Sequence, residues 1–79
     1  MTDERQEKVK ALWAVIFAAE EPCDEAGLAT VLEVPQEQIA DLIADLQQCL
    51  ADTPLQLVRL AGGYQLATRP QYAAYISRL

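Results

Sequence analysis

Leu55-Gln56-Leu57-Val58-Arg59-Leu60-Ala61-Gly62-Gly63-Tyr64-Gln65-Leu66-Ala67-Thr68-Arg69 is the stretch whose reading decides the fold. Leu55 to Ala61 and Tyr64 to Arg69 read as two strands. Gly62-Gly63 between them suits a two-residue primed turn, which needs positive φ. In that register Leu55, Leu57, Arg59 and Ala61 share a face with Tyr64, Leu66 and Thr68. The other face holds Val58, Leu60 and Ala67 beside Gln56, Gln65 and Arg69. Neither face is wholly polar, so alternation does not decide which one meets the core. The Leu55/Leu57/Leu66 face is favoured.

Three helical segments precede this hairpin. The first runs from about Asp3 or Glu4 to Ala19, with Val9, Leu12, Trp13, Ile16 and Glu20 on one face. Val15 and Phe17 lie off that stripe, and alanines fill the rest, so Ala11 to Ala19 is apolar all round. A helix of that kind is covered on more than one side. One cover is the domain's own core. The other is a partner chain, or else the domain wraps the helix entirely.

Pro22 closes the first helical region, and Asp24 is placed to cap a second helix, about Glu25 to Leu32. Leu28, Val31 and Leu32 form its expected buried stripe, and Gly27 weakens it by roughly 1 kcal/mol relative to Ala. Pro35 opens the third helix, where a missing amide costs little. Ile39, Leu42, Ile43, Leu46 and Leu50 give this helix the clearest periodicity in the chain. Thr53-Pro54 stops it. After the hairpin, Thr68-Arg69-Pro70-Gln71 fits a capping box with Thr68 as N-cap. A short helix follows from about Pro70 to Arg78, with Tyr72, Tyr75, Ile76 and Leu79 on one stripe.

Helix, helix-turn-helix, hairpin and short helix is the order of an α+β winged helix, here one domain over residues 1–79. A domain of this size buries only about 60–65% of the surface its unfolded chain exposes. Yet 52% of the residues are hydrophobic, which leaves apolar surface for a partner.

Charge narrows the function. Six Lys/Arg stand against twelve Asp/Glu, for a net charge of −6. No Lys or Arg lies between Ala11 and Val58, a stretch that carries Glu20, Glu21, Asp24, Glu25, Glu33, Glu37, Asp41, Asp45 and Asp52. The helix that would enter a major groove presents acids and glutamines, and phosphate contacts need basic side chains. A DNA-binding regulator would have to rely on the wing, whose charges are Arg59 and Arg69. Those two more simply pair on the surface or lie along apolar neighbours.

Catalysis has less support. There is no His, Ser77 is the only serine, and no phosphate-binding glycine loop is present. Glu37, Asp41 and Asp45 sit four apart, which suits a solvated acidic face better than a cation site. Cys23 and Cys49 lack the His or CxxC partners of a zinc site and read as reduced, largely buried thiols. No cofactor or metal is expected. The start, Met1 to Glu7, is unlike a signal peptide, and Ala11 to Ala19 is far short of the roughly 20 residues a bilayer takes. A soluble, cytoplasmic chain is expected. Candidate partner anchors are Leu12, Trp13, Ile16 and Phe17, divided in an open way between interface and core. Tyr72, Tyr75 and Ile76 are second candidates.

Two stretches carry a family resemblance. Leu12-Trp13-Ala14-Val15-Ile16-Phe17-Ala18-Ala19-Glu20-Glu21-Pro22 resembles the opening of segregation and condensation protein B, ScpB, an apolar helix ending in Phe-x-x-x-Glu-Pro. Ala61 to Tyr72 resembles its wing motif, Gly-Gly-Tyr-x-Leu-x-Thr-x-Pro-x-Tyr. The resemblance runs from about Lys10 to Leu79. Glu33 and Pro35 depart from it, standing where the family often has a glycine and a polar cap, and Gly27 sits inside the second helix. The resemblance implies the first of two winged-helix domains, so that the chain looks like an N-terminal fragment or a shortened relative. It also implies a non-catalytic protein that forms homodimers and binds the kleisin ScpA. Through ScpA it would join the SMC ATPase in chromosome condensation and segregation, with no direct nucleic-acid contact.

Overall fold

A computed structural model describes residues 2–79. Helix α1 spans Thr2–Ala18, α2 Glu25–Leu32 and α3 Ile39–Cys49, the last entered through a 3₁₀ turn at Gln36–Gln38. Strands β1 (Leu55–Leu60) and β2 (Gly63–Thr68) form an antiparallel hairpin. A 3₁₀ turn at Pro70–Tyr72 leads into α4, Ala73–Ile76. This is the winged-helix order expected from the hairpin outward.

The core lies where the three long helices meet the inner face of the hairpin. Val9, Leu12 and Ile16 enter it from α1, Leu28, Ala29 and Leu32 from α2, and Ile39, Leu42, Ile43 and Leu46 from α3, with Leu50 just beyond. The whole predicted stripe of α3 is buried. In α2 the stripe is rotated: Ala29 faces inward, and Val31, expected inside, is 60% exposed. Leu55, Leu57 and Leu66 pack against the core and Tyr64 belongs to it, so the favoured hairpin face is the inner one.

Local chemistry sets the helix ends. Asp24 is extended (φ −84°, ψ 169°), and its Oδ1 accepts from the Gly27 amide at 2.7 Å, as a cap should. A Cβ at Gly27 would come within 3.0 Å of that same oxygen, which accounts for a glycine in the first turn. At the other end, Glu33 takes the left-handed conformation (φ 59°, ψ 47°). The Glu33 amide donates to Thr30 O and the Val34 amide to Ala29 O, the pair of bonds of a Schellman stop. Glycine favours that conformation because a Cβ crowds the backbone there. Glu33→Gly is therefore expected to stabilise the domain by about 0.5–1 kcal/mol. A rise in the urea midpoint at unchanged slope would show it, and a fall would contradict the strain.

Long-range cations complete two of these ends. Neither α2 nor α3 has a basic residue in its last turn. Lys8 Nζ, from α1, donates to Leu32 O at 2.7 Å. Arg69 Nη2 donates to Leu50 O at 2.9 Å and its Nε to Thr53 O at 2.8 Å. The last carbonyls of a helix carry partial negative charge, so a cation is favoured there. Arg69 thus ties the base of the wing to the end of α3, which the expectation of a surface or stem-covering arginine did not foresee.

The turn sits one residue earlier than Gly62-Gly63. Leu60 pairs with Gly63, leaving Ala61 and Gly62 as the turn, both at positive φ (50° and 79°). Each strand residue therefore pairs two positions away from the expected partner, which keeps every side chain on its expected face. The cause is tertiary. A Cβ on Gly63 would lie 3.0 Å from backbone atoms of Pro22 and Cys23. Cys23 bridges to Tyr64, its amide donating to Tyr64 O at 3.0 Å and its carbonyl accepting from the Tyr64 amide at 2.8 Å. The segment after α1 thus lies against the start of β2.

Two more expectations change near the C-terminus. Thr68 is the end of β2 and caps nothing; Arg69 precedes the last turns in an extended conformation, as a residue before proline prefers, with no side-chain cap. The expected helix from Pro70 to Arg78 is a 3₁₀ turn followed by one short α-turn. Cys23 is half-buried and Cys49 exposed, both unbridged, so the expectation of two largely buried thiols fails for Cys49. It sits off the buried stripe of α3, at the edge of the groove toward α1.

Candidate interaction surface

The two faces of α1 differ in what they meet. Leu12 (0% exposed) and Ile16 (2%) are inside the domain's own core. Phe17 is 74% exposed, and Ala14 and Ala18 beside it are exposed as well. The domain does not wrap this helix, so the alternative in which it covers α1 on all sides is set aside. Trp13 takes an intermediate place: it packs on the core edge and lines an open groove of about 680 Å³ between α1 and α3, with Val9 and Cys49.

The C-terminal segment adds apolar surface. Tyr75 is 68% exposed, and Tyr72, Ile76 and Leu79 are exposed too. The predicted apolar residues of this segment are present, but their own domain does not bury them. Leu60, near the wing tip, and Val31 on α2 complete the exposed large hydrophobics. Val31 is expected on the buried stripe of α2, whereas Leu60 lies on the hairpin face that is not favoured for the core.

Electrostatics separate this surface from a duplex reader. Glu37, Asp41, Gln47 and Gln48 of the third helical segment are exposed. Arg5 Nε meets Asp45 Oδ2 at 2.6 Å across α1 and α3, and that bond and charge raise the arginine above its ordinary value. Arg59 stacks over the Tyr64 ring at 5.1 Å, and Arg78 over Tyr75 at 5.9 Å. Arg5, Lys8, Arg59, Arg69 and Arg78 are all engaged within the chain, and both wing arginines hold the wing itself.

Tyr64 is an ionisable group held away from this surface. Its hydroxyl donates to Glu25 Oε2 at 3.0 Å. Burial first, then the Glu25 bond and charge, raises its pKa above the ordinary value of 10. The fold therefore favours the neutral phenol. That stability is fully present below about pH 10 and is lost as pH climbs through the raised value. Tyr64→Phe is expected to remove this part of the alkaline loss. Urea midpoints at pH 8 and 11 would show the variant falling less than the parent, and equal falls would refute the assignment.

Among the described residues no cluster of three or more His, Cys, Asp or Glu is placed to hold a metal ion. No helix among them is long and apolar enough to cross a membrane. A polar recess lined by Glu4, Arg5, Lys8, Glu33, Gln38 and Asp41 lies between α1 and the start of α3.

Three helices, an intimate wing and exposed apolar rows define a winged-helix domain that leaves apolar side chains uncovered. The family is also shown: the chain belongs to that of the segregation and condensation complex subunit ScpB, whose model matches residues 10–79. Segregation and condensation protein B of Desulforamulus reducens is 34% identical over 77 residues, covering 95% of this chain and 42% of that protein. The Moorella thermoacetica protein is 38% identical over 71 residues, covering 87% and 36%. The chain thus spans less than half the length of these curated relatives. The crystal structure of ScpB from Mycobacterium tuberculosis matches with a TM-score of 0.85 at 22% identity, over 94% of this chain and 48% of that one, a likeness of fold. A crystal structure of a dimer of the ScpB N-terminal domain complexed with ScpA peptide matches with a TM-score of 0.82 at 32% identity, over 89% of this chain and 87% of that one.

The residues that carry the resemblance meet in space. Glu21 and Pro22 close the first motif, and Gly63 and Tyr64 open the second, some forty residues later. The Cys23–Tyr64 bridge and the contact of Gly63 with Pro22 bring them together. The second glycine and the proline are thus two halves of one backbone contact, which neither motif reveals alone.

Proposed function

We propose that this domain is a non-catalytic interaction module of the bacterial SMC–ScpA–ScpB complex. It corresponds to the first winged-helix domain of ScpB, pairs with a second copy and binds a segment of the kleisin ScpA. It works in the cytoplasm, at the nucleoid through SMC, in chromosome condensation and segregation. The observation that carries this reading is the 32% identity with an N-terminal domain crystallised as a dimer with ScpA peptide, over 87% of that chain. Physical support comes from the exposed Phe17, Tyr72, Tyr75 and Ile76, which offer anchors of the type that dominates interfaces. Leu12 and Ile16 act behind them as core residues, and Trp13 stands at the groove.

Sedimentation of the chain over a concentration series, with and without a ScpA peptide, tests this. Self-association and a heavier complex with ScpA are expected, with no retention of duplex oligonucleotide at moderate salt. Removing an exposed aromatic anchor is worth about 2 kcal/mol, so Phe17→Ala should weaken self-association roughly 30-fold. A monomer that ignores ScpA but binds duplex with a steep salt slope would instead identify a DNA-binding regulator.

A further inference from the structure

The three long helices end differently. The last carbonyls of α2 and α3 meet Lys8 and Arg69, cations brought from distant elements. Helix α1 has no basic residue in its last turn, and Glu20 and Glu21 follow it after Ala19. Two carboxylates there repel the negative end of the helix dipole. Among the described residues no cation meets them.

A row on the outside of the same helix begins with a cation. Lys10, Ala14, Phe17 and Ala18 are all exposed and lie at three- and four-residue spacings. The row therefore runs from positive, through two small residues and one aromatic, to an uncompensated acidic end. A surface with opposite charges at its ends complements its own reversed copy, as a twofold interface requires. Reversal about the midpoint between Ala14 and Phe17 exchanges those two positions. It also sets each Lys10 toward the C-terminal end of the other helix, beyond which lie Glu20 and Glu21. The alanines leave room for two helix axes to approach to about 8 Å.

We propose that two copies of the chain pair α1 against α1, antiparallel, across the Lys10–Ala14–Phe17–Ala18 row. Each Lys10 then supplies the cation for the Glu20–Glu21 end of the other copy, and each Phe17 packs beside the other copy's Ala14. This rests on the self-association proposed above and adds the surface, the direction and the register.

Charge reversal tests it. Lys10→Glu alone, and Glu20→Lys with Glu21→Lys, each place like charges together at two symmetric points. Each is expected to raise the dimer dissociation constant at least tenfold at low salt. Combining all three substitutions restores opposite charges and should return the constant to within about threefold of the parent. In 1 M salt the variants should converge, since these pairs lie at an exposed rim. Melting at a concentration where all are monomeric separates any effect on the fold. A parent that dimerises while the combined variant stays as weak as the single reversals, or while neither reversal matters, overturns this arrangement alone. A parent that stays monomeric throughout overturns the self-association reading with it.

Discussion

Replacing Gly63 with valine is expected to cost this domain about 3–5 kcal/mol, enough to unfold much of it at 37 °C. The Cβ position lies 3.0 Å from the carbonyl carbon of Pro22 and from the nitrogen and carbonyl carbon of Cys23. All three are backbone atoms, so no side chain can rotate away. Either the Cys23–Tyr64 bridge opens or the hairpin tilts off the end of α1. Opening the bridge loses two backbone hydrogen bonds, at about 1 kcal/mol net each. It also exposes Tyr64, whose burial is worth about 2 kcal/mol. A chain of this length has roughly 4–12 kcal/mol of stability in all. Gly63→Ala should cost less, and Gly62→Ala about 1 kcal/mol, for a different reason. At Gly62 nothing lies within 4 Å of the added atom, and only the positive φ resists it. Urea denaturation of the three variants reads the order directly. Gly62→Ala proving the most damaging would mean that the turn register is wrong.

The second large effect comes from α1. Leu12→Ala is expected to destabilise by about 2–5 kcal/mol, the transfer loss plus the cavity left in a core with no exposed edge at that point. Phe17→Ala, five residues on and equally apolar, should change the stability of the monomer by no more than about 0.5 kcal/mol. In a domain of this size 1 kcal/mol moves the melting temperature by roughly 4–8 °C. Dilute thermal melts therefore place Leu12→Ala far below the parent and Phe17→Ala close to it. The association constant should show the reverse sensitivity. Similar melting losses in both variants would mean that the two faces of α1 are not divided as the burial indicates.

These variants bear on what was readable beforehand. The stripe of α3 could be read residue for residue, because five large aliphatics at helical spacing leave no competing face. The Asp24 cap was readable too, since its bond is made to an amide three residues away. Val31 was misplaced because Leu28 and Leu32 define a stripe that either Val31 or Ala29 can complete, and only packing against α3 and α1 chooses. The hairpin turn was misplaced because Gly62-Gly63 satisfies two demands that look alike in sequence. One glycine supplies positive φ, and the other lets backbone approach backbone. Arg69 reads in sequence as a surface or stem-covering charge and Lys8 is given no role, yet each closes a helix 19–24 residues away in the chain.

The candidate surface divides in the same way. That α1 carries more apolar area than a small core can use is visible in Ala11 to Ala19 alone. That Leu12 and Ile16 serve the core while Phe17 is left outside required the positions of α2, α3 and the wing. The acidic reading helix was visible as composition, and the occupation of the basic side chains within the fold only as geometry.

By itself the sequence determined the order of elements, the inward row of α3, the capped start of α2 and the acidic character of the middle of the chain. Each of these depends on spacing or charge within a few turns of one segment. The tertiary structure alone decided the turn register, the open side of α1, the exposure of the C-terminal aromatics and the destinations of Lys8 and Arg69. Those depend on which surfaces lie within a few ångströms of each other across the fold, and distance along the chain carries little information about that.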